Sequence, residues 1–271
     1  MTNISFLSDF GHDDEFVGVV HGVIARLAPD ARIIDVTHGI PRGNVRAGAL
    51  SLMRAIQYLP DGVFMAVVDP GVGTSRRAIA AETAVGVFVG PDNGLLSPAV
   101  AFVGGASRII AIENPDFRIP SQGATFAGRD VFAPAAASLA SGDATLDDLG
   151  PDIDSTHSLL LPLPEADAGR VAGEVWWVDV YGNAQTNISP ADLEAAGGRP
   201  GTPVEVRVGA AARDVLWATT YEDVAEGEPV LYTDSSGLLA LAARGGRGDE
   251  TFDVANGTAV ILSAPAPTAA R

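Results

Sequence analysis

Three short polar clusters in this sequence combine carboxylates, guanidinium groups and glycines closely enough to do chemistry. Asp9, Asp13 and Asp14 share one turn, Asp69 and Arg76 bracket the loop Asp69-Pro70-Gly71-Val72-Gly73-Thr74-Ser75-Arg76-Arg77, and Pro91-Asp92-Asn93-Gly94 forms the third. An ionised carboxylate only accepts hydrogen bonds and takes two at once, so Asp9 suits the paired hydroxyls of a ribose. A seven-residue spacing on a glycine-containing loop lets Arg76 fold back onto Asp69 as a charge-assisted pair. Each cluster alone is also what an ordinary turn contains.

Further along, Trp176 to Ile188 joins an apolar run to a turn dense in hydrogen-bonding groups. There Tyr181 offers a ring to stack on a purine, and Asn183 an amide whose donor and acceptor match an adenine edge. Thr233-Asp234-Ser235-Ser236-Gly237 is a polar turn suited to a carboxylate or an amino group. No G-x-G-x-x-G opens a helix and no G-x-x-x-x-G-K-[ST] occurs, so the common dinucleotide and P-loop signatures are missing. His12, His21, His38 and His157 lack metal-ligand spacing, and cysteine is absent; no metal site and no cofactor are expected.

The elements that must position these groups follow from periodicity. Ile4 to Ser8 reads as a buried strand, and a helix follows with Val17, Val20, Ile24 and Leu27 on one face. Ile33 to Val36 is the next strand. Asn44 caps a second helix whose buried stripe is Val45, Ala49, Leu52, Ile56 and Leu59. Val63 to Val68, Gly86 to Val89 and Arg108 to Ile112 continue as apolar strands, and Asp130 opens a helix through Ala140 with Pro134 in its first turn. This alternation predicts an α/β domain over residues 1–160 with a mostly parallel sheet. All three N-terminal clusters then fall at carboxyl ends of strands, where open α/β sheets bind ligands.

After Gly150 prolines interrupt the chain, so a linker is expected near 151–170. Gly173 to Asp179, Val204 to Val208, Pro229 to Thr233 and Thr251 to Leu262 read as strands of an all-β, barrel-like domain over residues 161–271, with a frayed tail from Ala264 to Arg271. The chain has 271 residues, 47% hydrophobic and 19% charged, with a formal net charge of -17. Such a field repels phosphate backbones, which argues against a nucleic-acid partner. With no run long enough to span a bilayer and no export signal, a cytoplasmic protein without membrane contact is expected.

These segments together resemble the S-adenosylmethionine hydroxide adenosyltransferase family, related to the fluorinase and chlorinase that make 5′-halo-5′-deoxyadenosines. The matching stretches are Phe6 to Gly11, Ile34 to His38, Val45 to Ala49, Asp69 to Arg76, Val89 to Leu96, Gly128 to Pro134, Asp179 to Ile188 and Ser235 to Leu239. The resemblance implies an α/β domain, a C-terminal β-barrel and a homotrimer with active sites between subunits. It also implies a hydrolase that converts S-adenosyl-L-methionine to adenosine and L-methionine.

Carried over by position, Asp9 resembles the ribose-diol ligand, Asp14 and Asp179 the partners of the methionine ammonium, and Ser235 and Ser236 the carboxylate-binding turn. Phe126 matches the lining of the ribose and its 5′ carbon, Tyr181 and Asn183 the adenine turn, and Asn93 a further substrate-binding position. Asp69 and Arg76 match two members of an Asp-Arg-His set that orients or activates water. The third position is Ala127, where relatives read Phe-His-Gly-Arg-Asp and this chain reads Phe126-Ala127-Gly128-Arg129-Asp130. A His-to-Ala replacement there implies a low rate. A lesser departure is Arg244, where relatives usually show Asn. Two alternatives remain open at this stage: a halide adenosyltransferase, compatible with Gly128 but opposed by the Asp69 charge, and a non-catalytic S-adenosylmethionine sensor.

Overall fold

The computed structural model describes residues 3–167 and 169–264. The chain divides into two compact units, Met1–Leu159 and Leu160–Arg271.

The first unit carries a six-stranded sheet built from β1 (Asn3–Ser8), β2 (Arg32–Thr37), β3 (Gly62–Val67), β4 (Ala78–Thr83), β5 (Gly86–Pro91) and β6 (Arg108–Ala111), in the order β2-β1-β3-β5-β4-β6. Strands β2, β1, β3 and β5 pair in parallel, whereas β4 runs antiparallel to both β5 and β6. The sheet is therefore mixed. β4 escapes a reading by apolar runs because Ala78 to Thr83 is rich in alanine and carries Glu82. Every residue of β3 is buried, as expected of a central strand covered on both faces.

Helix α1 (Phe16–Leu27) buries Val17, Val20 and Ile24. Leu27, assigned from its spacing to the same face, is 42% exposed because the helix ends there and the stripe has already turned away from the sheet. Helix α2 (Val45–Ala55) begins where the Asn44 side chain accepts from the Ala47 amide at 3.0 Å, and a 3-10 turn over Ile56–Tyr58 extends it. Its buried face is Ala47, Gly48, Ala49, Leu50 and Leu52; Val45 and Leu59 are only half-buried. Short α3 (Ser97–Phe102) packs beside α2.

The helix expected from Asp130 starts two residues earlier, as a π-turn over Gly128–Phe132 that runs into α4 (Ala133–Ser141) with Pro134 at its first positions. Phe132 is fully buried with Ile4, Phe6, Met65 and Val67 in the core that α1 and α4 cover. A π-turn inserts one residue into the helical ladder and often marks a functional site. Short α5 (Leu146–Leu149) closes the unit.

The second unit is a closed barrel. Strands β8 (Arg170–Val178), β9 (Ala184–Thr186), β10 (Pro203–Val208), β11 (Ala211–Ala218), β12 (Pro229–Thr233), β13 (Leu239–Ala243) and β14 (Ala259–Ser263) pair in the ring order β14-β10-β11-β12-β13-β9-β8. The β14–β8 pairing closes the ring, and β7 (Glu165–Asp167) adds to β8 outside it. All the ladders are antiparallel except β11–β12. Closure leaves the seven ring strands without an open edge.

Alternating residues such as Val204, Val206, Val215, Trp217, Leu239 and Leu241 fill the interior. Thr251 to Leu262 is not one strand: α7 (Gly248–Phe252) occupies its start, Asp253 turns with φ +52°, and only β14 is extended. Helix α6 (Pro190–Ala195) follows a Ser189 capping box. Beyond Ala264, the tail expected to fray lies outside the described residues. Among the described residues no helix is long and apolar enough to cross a membrane.

Candidate functional site

In the first unit the loops at the carboxyl ends of β1 and β3 meet the π-turn. Asp9 follows β1 directly, and its carboxylate accepts from the Gly43 amide at 2.7 Å, tying the end of β1 to the turn before α2. Its next neighbours, Phe10 and Gly11, fold over the site: Gly11 N–H donates to the His38 carbonyl at 2.8 Å. The Phe10 ring meets Phe126 edge-on at 5.7 Å. Phe126 also meets Phe16 edge-on at 5.1 Å, and the Arg129 guanidinium lies 5.1 Å from its centroid. Gly128 makes this aromatic cluster possible, because a Cβ there would lie 2.8 Å from Cζ of Phe10 and 3.3 Å from Cε2 of Phe126.

The loop after β3 holds the pair that spacing predicts. Arg76 Nε donates to Asp69 Oδ1 at 3.0 Å and Arg76 Nη2 donates to Asp69 Oδ2, a two-pronged contact, while Arg76 Nη1 donates to the Arg77 carbonyl at 2.8 Å. Both side chains are nearly enclosed, 5% exposed for Asp69 and 12% for Arg76. The guanidinium sits 5.4 Å from the Phe132 centroid, so the π-turn also holds it in place. Ala127 is half-buried at the start of that turn and lines a cleft of about 330 Å³ with Ala124, Asp130 and Val131. The loop approaches the same segment at Gly73, whose Cβ position is 3.4 Å from the Ala124 carbonyl.

Asn93 is placed differently. Its amide donates to the Val68 carbonyl at 2.9 Å and accepts from Leu95 N–H at 3.1 Å, so much of its capacity goes to joining the end of β3 to the turn before α3. Asp14 lies exposed between β1 and α1 with no hydrogen bond to a described residue.

Sequence reasoning missed a second arginine–aspartate pair. Arg77 Nε and Nη2 donate to Asp92 Oδ2 at 3.0 and 2.6 Å, and Asp92 Oδ1 accepts from His157 N–H at 2.7 Å. It also missed Arg129 and Asp130, paired at 2.6 Å. The histidines that looked scattered are partly gathered: His21 and His38 both place Nε2 within 3.0 Å of Asp35 Oδ1.

In the second unit Asp179 organises its turn. Its Oδ1 accepts from Tyr181 N–H at 2.9 Å and Asn183 N–H at 2.8 Å, and its Oδ2 accepts from the Asn183 amide at 2.8 Å. Gly182 in that turn has φ +87°, and a Cβ would meet Asp249 Oδ1 at 2.6 Å, so only glycine fits. Tyr181 is 75% exposed, leaving its ring face free to stack. The Tyr221 hydroxyl donates to the Asn183 side-chain oxygen Oδ1 at 3.4 Å. Tyr232, packed on Tyr221 at 4.9 Å, has its phenol pushed well above the usual range, first by burial and then by its hydrogen bond with Tyr221.

Ser235 and Ser236 lie in an exposed turn shaped by Asp234, which accepts from Ser236 N–H at 2.8 Å and from Leu238 N–H at 3.1 Å. Their hydroxyls make no hydrogen bond to described residues. Arg244 Nη1 donates to the Val224 carbonyl at 2.7 Å, so its long side chain braces the segment after Tyr221.

An α/β unit with a carboxylate after the first strand and an enclosed Asp-Arg pair after the third, joined in sequence to a seven-stranded barrel, defines a narrow class of proteins. The SAM hydroxide adenosyltransferase N-terminal domain matches residues 4–150 and the C-terminal domain of that family matches residues 173–261, and the chain belongs to this family. It is 44% identical over 263 residues to the (R)-S-adenosyl-L-methionine hydrolase of Salinispora arenicola, covering 96% of this chain and 97% of that protein. The hydrolase of the same name from Thermus thermophilus is 40% identical, with 97% and 100% covered. A fluorinase from an Actinoplanes species is 30% identical, with 88% and 90% covered. Among solved structures, an uncharacterized conserved protein from Thermotoga maritima superposes with a TM-score of 0.91 at 37% identity, covering 96% of this chain and 99% of that one.

Proposed function

We propose that this protein is an S-adenosyl-L-methionine hydrolase that forms adenosine and L-methionine. The observation that carries the reading is the enclosed, two-pronged Asp69–Arg76 pair beside the π-turn of Ala127. Water attacks the ribose 5′ carbon: a C–O bond forms, the C–S bond breaks, and the electron pair leaves on a neutral thioether, so no acid is needed at sulfur. The proton of the attacking water is released. Catalysis then rests on holding a nucleophile in line at about 3–3.5 Å and taking its proton. Arg76 fixes the Asp69 carboxylate so that one edge orients that water.

In this reading Asp9 holds the ribose diol, and the Phe126 cluster keeps the 5′ carbon dry. Tyr181 and Asn183 take the adenine, Asp14 and Asp179 the ammonium, and Ser235 and Ser236 the methionine carboxylate. Asn93 joins the end of β3 to the turn before α3 and keeps one amide N–H and one oxygen lone pair for substrate. The working assembly is a homotrimer that shares these groups between subunits, supported by the family resemblance. Neither a cofactor nor a catalytic metal is required, and the enzyme acts in the cytoplasm. The halide alternative is disfavoured because an anion would have to approach the Asp69 carboxylate.

Ala127 lacks the imidazole that would receive the proton. Restoring it with Ala127→His should raise adenosine release about 10²–10⁴-fold, the usual range for one proton-handling side chain. Chromatography of products from both proteins is the test. No gain in turnover would favour a binding-only sensor, and 5′-chloro-5′-deoxyadenosine as main product in excess chloride would favour the halide reading.

A further inference from the structure

We propose that His21, Asp35 and His38 form a binding site for one zinc-class divalent ion on the first unit. None of the three is among the residues assigned to substrate.

The geometry is specific. His21 Nε2 lies 2.9 Å and His38 Nε2 lies 3.0 Å from the same oxygen, Asp35 Oδ1, and the three atoms lie within 4.8 Å of one another. Ligands about 2.0–2.1 Å from a tetrahedral metal stand roughly 3.3 Å apart. The two contacts to Asp35 need to lengthen by only a few tenths of an ångström, and the two imidazole nitrogens, within 4.8 Å of each other, need to draw together by at most about 1.5 Å. Without an ion, an Nε2–H on each ring would donate to Asp35 Oδ1; with a divalent cation bound, each neutral ring carries its proton on Nδ1 instead.

The ligands sit on fixed elements: His21 within α1, Asp35 within β2, and His38 just after β2. His38 is held on its other side as well. Its Nδ1 is 2.7 Å from Ser8 Oγ, and its ring lies 4.5 Å from that of Phe6. An outer partner of this kind orients metal-binding histidines and aims Nε2 at the ion. Neutral imidazoles and an ionised carboxylate are the forms in which such a set of side chains binds a metal.

Access is one-sided, with His38 fully enclosed and His21 and Asp35 35% and 41% exposed. An ion can enter and keep a water as fourth ligand. Two imidazoles and one carboxylate suit zinc rather than magnesium or calcium, which prefer oxygen donors.

The test uses the full chain, stripped with chelator and desalted, titrated with Zn²⁺ by calorimetry and with Co²⁺ as a spectroscopic probe. One equivalent per chain should bind, with a tetrahedral-type Co²⁺ absorption and a rise in Tm. His21→Ala, a change at a partly exposed helix position, should weaken binding at least tenfold and abolish the Tm rise. Asp35→Asn should do the same, and His157→Ala, at the histidine beside Asp92, should bind like the parent. Absence of saturable binding would overturn the site, as would equal weakening in His21→Ala and His157→Ala, the mark of adventitious imidazole binding.

Discussion

Replacing Asp9 separates its proposed task from its structural one. One carboxylate oxygen accepts from Gly43 N–H at 2.7 Å, a bond that holds the turn before α2. Alanine would remove ribose contact and turn support together, so a loss of affinity in Asp9→Ala is ambiguous. Asp9→Asn resolves it: the amide oxygen can keep the Gly43 bond, while the other end becomes a donor and the charge disappears. A hydrogen bond to a charged group contributes about 1.5–3 kcal/mol, and about 1.4 kcal/mol is tenfold in affinity. Losing one such acceptor for the diol should weaken adenosine binding roughly 10- to 150-fold.

L-Methionine has no diol, so its affinity should stay unchanged. Tm should hold for Asp9→Asn but fall for Asp9→Ala, where an amide left without its acceptor costs about 1–3 kcal/mol. Calorimetric titration of each variant with adenosine and with methionine, beside a thermal melt, gives every quantity. Parental adenosine affinity in a fully folded Asp9→Asn would refute the assignment and leave Asp9 as a turn residue. An equal fall for methionine would point to collapse of the site as a whole.

Three further outcomes follow from the same geometry. In the Ala127→His background, Asp69→Asn should lower turnover by about 10²–10⁴ while leaving the KM for S-adenosyl-L-methionine within a few fold; an unchanged turnover would remove Asp69 from the chemistry. Asp92→Ala should lower stability by about 2–3 kcal/mol, because it strands the His157 amide and leaves Arg77 to water, yet adenosine affinity should hold; denaturant melts and calorimetry measure both. The raised phenol of Tyr232 favours the protonated form in the fold, so its stabilisation is complete below about pH 10 and is lost as pH rises past it. Tyr232→Phe should flatten the alkaline decline of Tm, and an identical decline would contradict the cause.

What the sequence made legible was what depends on neighbours along the chain. The apolar runs of β1, β2, β3 and β5, the cap at Asn44 and the Asp69–Arg76 loop all lie within local reach, and their periodicity or spacing stands in the letters. What stayed hidden depends on partners chosen in space. β13 is Leu-Ala-Leu-Ala-Ala and β11 begins Ala-Ala-Arg-Asp; neither alternates apolar with polar residues, and both are strands because barrel neighbours supply their ladders. Gly128 stands just before the helix expected from Asp130, and only the positions of Phe10 and Phe126 reveal that a side chain would not fit there. The role of Asp234 has a local signature, a carboxylate two residues before the amide it accepts, and that signal was available in the turn Thr233 to Gly237.

The two adjacent arginines show how register decides which charge serves a site. Ala78 pairs with Pro91 at the end of the β4–β5 ladder, and just beyond it Asp92 N–H donates to the Arg77 carbonyl at 2.9 Å. Arg77 is thereby set opposite Asp92, and their side chains meet as a cross-strand pair. Successive residues of an extended chain point to opposite sides. Arg76, one step further from the ladder, is turned the other way, toward the end of β3, where it finds Asp69 and the Phe132 ring. The reversed direction of β4 makes this possible: a parallel strand in its place would bring its carboxyl end, not its amino end, to the loops after β3 and β5. Shifting the ladder by one residue would exchange the roles of the two arginines, and the enclosed carboxylate of Asp69 would lose the guanidinium that fixes it.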